Sequence, residues 1–226
     1  MCGRFTLTAS PRRLRERFGL AAAPDEAPLR YNIAPSQAVL VIPNRATRVL
    51  RPARWGLIPH WASDAKIGHK MINARAETLA ARPAFRDALS RHRCLIPADG
   101  FYEWRRSGRA REPFYVRPRD GAPLAFAGLW DVWRPAGAES IASCTIITTT
   151  ANAVLAPIHD RMPVILAAEQ WDAWLDPAAV PSAALLPMLT PCPDEWLEAY
   201  RVSPLVNAPA NDAPECIEAV GLGVGG

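Results

Sequence analysis

The chain has 226 residues, 50% of them hydrophobic and 21% charged, a makeup that excludes the compositional signature of disorder and can fill one large core. Its net charge of +4 permits an anionic partner without demanding one, and no stretch approaches the roughly 20 apolar residues needed to cross a bilayer. Its five cysteines, Cys2, Cys94, Cys144, Cys192 and Cys216, are odd in number, widely separated and free of CxxC spacing, so neither a disulfide framework nor a zinc site is signalled and a cytoplasmic protein is expected.

Apolar and polar residues alternate from Gly3 to Thr8, the period of a half-buried strand. Ser10 and Pro11 then read as the N-cap and first residue of a short helix ending at Gly19, with Leu14 and Phe18 facing inward. Residues 23–37 are punctuated by proline and are expected to be mostly irregular. Strands are predicted at 38–42 and 47–55, joined by a turn around Pro43 and Asn44. Residues 56–75 carry no clean period of either kind and read as a long ordered loop. A helical stretch at 77–91, interrupted by Pro83, follows.

Further strands are predicted at 94–96, 101–104, 113–116, 124–133 and 141–149, and short helices at 151–158, 168–175 and 194–200. The tail from about residue 218, ending GLGVGG, has little to pack and is expected to fray. Strands outnumber helices and do not alternate with them, which predicts an α+β fold: a single domain over residues 1–226 with a mainly antiparallel sheet or barrel-like core surrounded by short helices.

Only Lys66 and Lys70 are lysines, so nearly all positive charge is arginine, whose planar fork suits bidentate phosphate contacts; a GC-rich genome would produce the same bias. Cys2 directly follows the initiator methionine and becomes a 1,2-aminothiol if Met1 is removed. An exposed pair of this kind offers an amine and a thiol with reference pKa values of about 8 and 8.5, both available near neutral pH. An aldehyde condenses with the amine to an imine, and the thiol closes that imine into a five-membered thiazolidine. The ring-opened sugar of an abasic site is such an aldehyde. Position alone leaves the other reading open, a small buried residue beginning a strand.

Eight blocks of sequence, MCGRF, YNIAP, WGLIPHW, INARAET, CLIPADGFYEW, FAGLW, TTTAN and IHDRMPVIL, occur in order from residue 2 to about residue 175. Together they closely resemble the SRAP family, named after SOS response-associated peptidases. The resemblance implies a DNA-repair protein of bacteria, nucleoid-associated when bound to DNA, that crosslinks to abasic sites in single-stranded DNA and shields them from strand cleavage. It implies that Cys2 is the nucleophile, freed by loss of Met1, through self-cleavage or otherwise, and that Asn73 orients the adduct. Glu103 would act as general acid and base in lyase-like imine chemistry, and His159 would shuttle protons. A carboxylate beside aromatic residues, as in FYEW, has its pKa raised by burial, which suits that task. Alone, Glu103 reads equally as an exposed sheet residue and His159 as a histidine satisfied in a turn.

Arg4, Arg75 and Arg161 each stand two residues after Cys2, Asn73 or His159, so in extended backbone each projects on the same side as its neighbour and forms a phosphate fork. Ion pairing, of Arg161 with Asp160 or Arg75 with Glu77, is the competing reading. Trp61 and Trp104 are the tryptophans expected to stack bases, whereas Trp171 and Trp174 lie three apart and read as core. Pro35 is implied by the resemblance as a wedge against an unstacked base, and Thr148 offers a phosphate hydroxyl or simple strand propensity. His60, His69 and His92 lack partners at metal spacing, so no metal or other cofactor is expected. The expected partner is single-stranded DNA carrying abasic sites, bound by a monomer without a membrane. A cysteine peptidase using Cys2 and His159 on protein substrates is the alternative, and a noncovalent single-strand binder a third reading.

Overall fold

The computed structural model describes residues 2–24, 26–108, 110–137 and 139–221. The first alternating segment forms β1 (Arg4–Leu7), with Phe5, Thr6 and Leu7 buried. In α1 (Pro11–Phe18) the Ser10 hydroxyl accepts from the Arg13 amide at 3.3 Å, and Gly19 ends the helix at φ +60°, where a Cβ is disfavoured. The proline-rich run is less irregular than expected: Pro24, Pro28 and Pro35 flank β2 (Arg30–Ile33) rather than interrupt it, and β1 supplies its ladder. Next come β3 (Ala38–Pro43) and β4 (Arg51–Trp55), the latter starting four residues later than predicted because the chain is still bending at 44–47.

Residues 56–75 form the expected long loop, with a 3-10 turn at Ala65–Lys70 and the short β5 (Asn73–Arg75) at its end. The loop folds back on itself through two glycines. A Cβ on Gly56, which has φ +126°, would stand 2.6 Å from the Gly68 carbonyl oxygen, and one on Gly68 would stand 2.7 Å from that of Gly56. Pro83 begins α2 (Pro83–Arg91) instead of interrupting a longer helix, because at the first helical position its missing N–H is not needed.

Each of the five predicted central strands is present within β6 (Arg93–Ala98), β7 (Gly100–Ser107), β8 (Ala110–Pro118), β9 (Leu124–Trp133) and β10 (Ile141–Thr150). The helix predicted at 151–158 is instead a run of turns: the Ala156 and His159 amides reach back four residues, but Pro157 between them has no N–H to continue the ladder. After β11 (Arg161–Pro163), α3 (Trp171–Trp174) and α4 (Ser182–Leu185) are single turns of helix. The helix predicted at 194–200 is also overturned. A 3-10 turn at Asp194–Trp196 leads into β12 (Leu197–Arg201), drawn into extended form by the open edge of β8.

The fold is α+β. One sheet, in the order β12-β8-β7-β1-β2, is antiparallel throughout. In the other, β10, β4, β3, β6 and β9 follow one another and β9 pairs back with β10, closing a five-stranded barrel. Here β10 runs parallel to β4 and β5 and antiparallel to β9 and β11. Phe5 joins the two sheets, with its ring edge-on to Trp55 at 5.2 Å and to Phe126 at 6.0 Å, and Phe126 also meets Phe101 at 5.8 Å. Burying each such ring stabilises the fold by roughly 1.5–3 kcal/mol.

Arg93 is fully buried, and its guanidinium donates to the carbonyls of Leu89, Ser90, Trp174, Asp176 and Ala178, tying α2 to the turn after α3. Trp171 and Trp174 are core residues, as expected. Within the tail, Ala219 bridges Val202, and the Val220 amide donates to the Arg201 carbonyl at 2.9 Å. The last five residues of the glycine-ended tail lie outside the described residues. Among those described, no helix is long and apolar enough to cross a membrane.

Candidate active site

The register of β1 on β7 pairs Arg4 with Tyr102, and this brings the start of the chain alongside Glu103. From the other side β5, held parallel to β10 with Asn73 opposite Ile146, carries Asn73 to the same place. The Asn73 side-chain amide donates to the Cys2 carbonyl at 2.8 Å. Its Oδ1 is buried and accepts no hydrogen bond among the described residues, an acceptor held beside Cys2 with its capacity unspent.

Cys2 is fully buried, its Sγ 4.0 Å from the Arg4 carbonyl oxygen. Burial, aided by the negative charge of Glu103, pushes the thiol far above its ordinary value. The sequence expectation of a readily ionised sulfur applies to a free, exposed terminus. While residue 1 precedes it, Cys2 has a peptide nitrogen and a protonated thiol.

Glu103 lies on β7 with 2% of its side chain exposed, and burial raises its pKa to about 7, as its aromatic setting led one to expect. His159 follows the turns after β10 and places Nε2 4.0 Å from Glu103 Oε2. The Arg161 backbone N–H donates to His159 Nδ1 at 2.9 Å, so in the neutral ring the proton resides on Nε2, toward the carboxylate. The exposed Asp160 carboxylate also stands 2.9 Å from Nδ1 and favours the charged ring, yet burial outweighs it and lowers the His159 pKa. The fixed amide decides the tautomer, because a carboxylate in water is readily solvated elsewhere. A half-protonated acid and a neutral imidazole thus stand together at neutral pH, able to give and take protons.

The three arginines chosen by spacing have different fates. Arg4 donates to Asn32 Oδ1 at 2.9 Å and to the Val206 carbonyl at 2.8 Å, tying β1 to the C-terminal segment. Arg161 forms a two-pronged ion pair with Glu77 at 2.6 and 3.0 Å, a different acid from the one its neighbours suggested, while its buried Nε has no acceptor among the described residues. Arg75 is exposed. Thr148 is fully buried, and its hydroxyl faces the Arg161 guanidinium at 3.4 Å, so in this arrangement it meets that side chain rather than solvent.

Trp104 and Pro35 line one depression of about 520 Å³ together with Gly3, Arg4, Arg111 and Asn207. Trp104 also borders a second, of about 380 Å³, with Arg105, Arg106 and His159. Its indole N–H donates to Asn207 Oδ1 at 2.7 Å, which fixes the ring. Trp61 is 53% exposed but lines a different depression, with His60, Asp87, His92 and Asp131. Sequence reading did not single out Asn207, Arg106 or Arg111. The first comes from a C-terminal turn a hundred residues away; the other two were signalled only by the arginine-rich run around Gly108.

The family model described as SOS response associated peptidase (SRAP) matches residues 1–209. The abasic site processing protein YoqW of Bacillus subtilis is 46% identical over 222 residues, covering 96% of this chain and 99% of its own. The abasic site processing protein HMCES of Gallus gallus is 32% identical over 99% of this chain and 79% of its own. A crystal structure of a protein from Bacteroides thetaiotaomicron superposes with a TM-score of 0.88 at 26% identity, covering 97% of this chain and all of that one. With a match across most of its length and the site built from the residues those motifs supply, the chain belongs to the SRAP family.

Proposed function

We propose that the protein processes abasic sites in DNA: it binds the damaged single strand and, once Met1 is removed, closes a thiazolidine between Cys2 and the sugar aldehyde. The observation that carries this reading is the convergence of Cys2, Asn73 and Glu103 at the chain start, with His159 4.0 Å from Glu103. Glu103 gives a proton to the sugar ring oxygen as the hemiacetal opens, its carboxylate recovers the one released by the anomeric hydroxyl and later gives it to the departing water, and the His159 Nε2–H directed at that carboxylate holds it in place for both transfers. The Cys2 amine adds to the aldehyde carbon and expels one water, leaving an imine. The thiol then adds across that double bond, sulfur to carbon and its proton to nitrogen. Asn73 Oδ1 accepts a hydrogen bond from the sugar-derived hydroxyl. The closed ring has no imine to promote β-elimination, so the strand stays intact.

The relatives described as abasic site processing proteins support this reading, as does the chemistry of the thiol. A peptidase nucleophile needs a depressed thiol pKa, whereas burial and Glu103 drive that of Cys2 upward. Thiazolidine closure needs no preformed thiolate, only a thiol beside an imine.

Incubation with an oligonucleotide bearing one abasic site is expected to give a denaturation-resistant band, with an intact mass showing loss of Met1. A variant with an alanine inserted before Cys2 is expected to bind the strand and give no band. A wild-type protein that binds the strand yet forms no band, or a band that survives the insertion, refutes the reading.

A further inference from the structure

The β7–β8 hairpin carries two arginines in an unusual relation. Arg106 and Arg111 are directly opposite in the antiparallel register, so both side chains leave the same face of the sheet, and both are exposed. Like charges in that position are destabilising. Nearby arginines are neutralised: Arg105 donates to Glu112 at 2.7 and 3.0 Å, Arg201 stands 3.6 Å from Glu112, and Arg117 donates to Glu198 at 2.7 Å. Among the described residues neither Arg106 nor Arg111 has an acidic partner.

Their placement gives the repulsion a use. Arg111 lines the depression on one side of Trp104, shared with Arg4 and Pro35, and Arg106 lines the one on the other side, shared with His159. Trp104 is the ridge between the two. At the hairpin tip a Cβ built on Gly108 would meet nothing within 4 Å, so the arm projects into open space.

We infer that the β7–β8 hairpin is a strand clamp, in which Arg106 and Arg111 take two backbone phosphates of a bound single strand on either side of the Trp104 ring. This rests on the single-strand binding proposed above and adds the register: the strand crosses the hairpin, with one base on Trp104 and the neighbouring sugar directed toward Glu103 and His159. Bound phosphates replace the mutual repulsion with two charge-assisted contacts.

The test uses an undamaged single-stranded oligonucleotide, which offers no aldehyde, so it reads binding alone. Each phosphate contact to a single strand contributes about 0.7 to the slope of log affinity against log salt. The double variant Arg106→Gln/Arg111→Gln is expected to lower that slope by about 1.4. The charge-matched control Arg15→Gln/Arg86→Gln, exposed and outside both depressions, is expected to change it far less.

Arg111→Glu, which converts the repulsive pair into an attractive one, is expected to raise the melting midpoint while binding weakens. An unchanged slope in the hairpin variant, an equal fall in the control, or unweakened binding by Arg111→Glu overturns the clamp. Crosslinking of damaged DNA is scored separately. A wild type that fails to crosslink while its hairpin variant loses slope refutes the abasic-site chemistry and leaves the clamp standing.

Discussion

Two buried acids in this fold each face histidine, and they are handled in opposite ways. Asp131 accepts from the His60 amide at 2.8 Å, the His60 ring at 2.9 Å and the Val132 amide at 2.7 Å, with His92 a further 3.7 Å away. Glu103 sits 4.0 Å from His159, and burial holds its pKa near 7. The first acid is surrounded by donors suited to its ionised form and serves to pin the 56–75 loop to β9. The second is held where neither protonation state dominates at neutral pH. A carboxylate beside imidazole is therefore no signature of catalysis; what marks Glu103 is a pKa that burial raises into the neutral range.

The sharpest way to break this contrast is to neutralise each acid in turn. Glu103→Gln removes the group that gives and takes protons, so the rate of crosslinking to abasic DNA is expected to fall by roughly 10²–10⁴-fold. Asp131→Asn is expected to leave that rate within a few-fold of wild type. It turns an acceptor of several N–H groups into one that must also donate, which costs about 1–3 kcal/mol of stability. Single-turnover crosslinking and denaturant melts on the same two variants read both effects. The contrast fails if Asp131→Asn slows crosslinking as much as Glu103→Gln does.

A second, smaller effect concerns pH. In the unfolded chain Glu103 has an ordinary value near 4.5, and in the folded chain it lies near 7. Between those values the folded state holds the extra proton, so stability declines as pH rises through this window and is level above it. Glu103→Gln is expected to melt close to wild type at pH 5 and several degrees higher at pH 8. The crosslinking rate of wild type is expected to show an inflection near pH 7 that the variant lacks. Identical melting shifts at both pH values would place the raised pKa in doubt.

Much of the architecture could be read from sequence because the signals were local. The run from Leu124 to Trp130 in β9 holds no charged residue, and Ser10 and Gly19 bracket α1 through contacts within three or four residues. Some failures are local, as at Pro83 and Pro157, and others are long-range. Leu197 and Tyr200 have helical spacing, yet β8 offers an unpaired edge and wins. The strands β5 and β11, of three residues each, are too short to show any period. The site divides the same way. The roles at Cys2, Asn73, Glu103 and His159 were suggested by motifs, and the chain does bring these residues together. The fate of Arg4 depends on carbonyls 202 and 203 residues away, and the Arg106–Arg111 opposition exists only once a strand register is known.

Trp61 supplies the mildest test, because it belongs to the satisfied end of the barrel. The Ile58 amide donates to the Ser143 hydroxyl at 2.8 Å, and His60 bonds Asp131, which is paired with Ser143. Thr148, at the Arg161 end of β10, is five residues further along that strand, roughly 16 Å at 3.3 Å per residue. The indole lines a different depression from Trp104 and is expected to meet the bound strand away from the lesion. Trp61→Ala is expected to leave stability unchanged and to leave crosslinking of a trinucleotide with a central abasic site within about two-fold of wild type. On a strand of about 15 nucleotides it is expected to weaken binding by about ten-fold or less, the lower range of one lost stacking contact. An equal loss on both lengths would move Trp61 to the lesion and erase the division between the two ends.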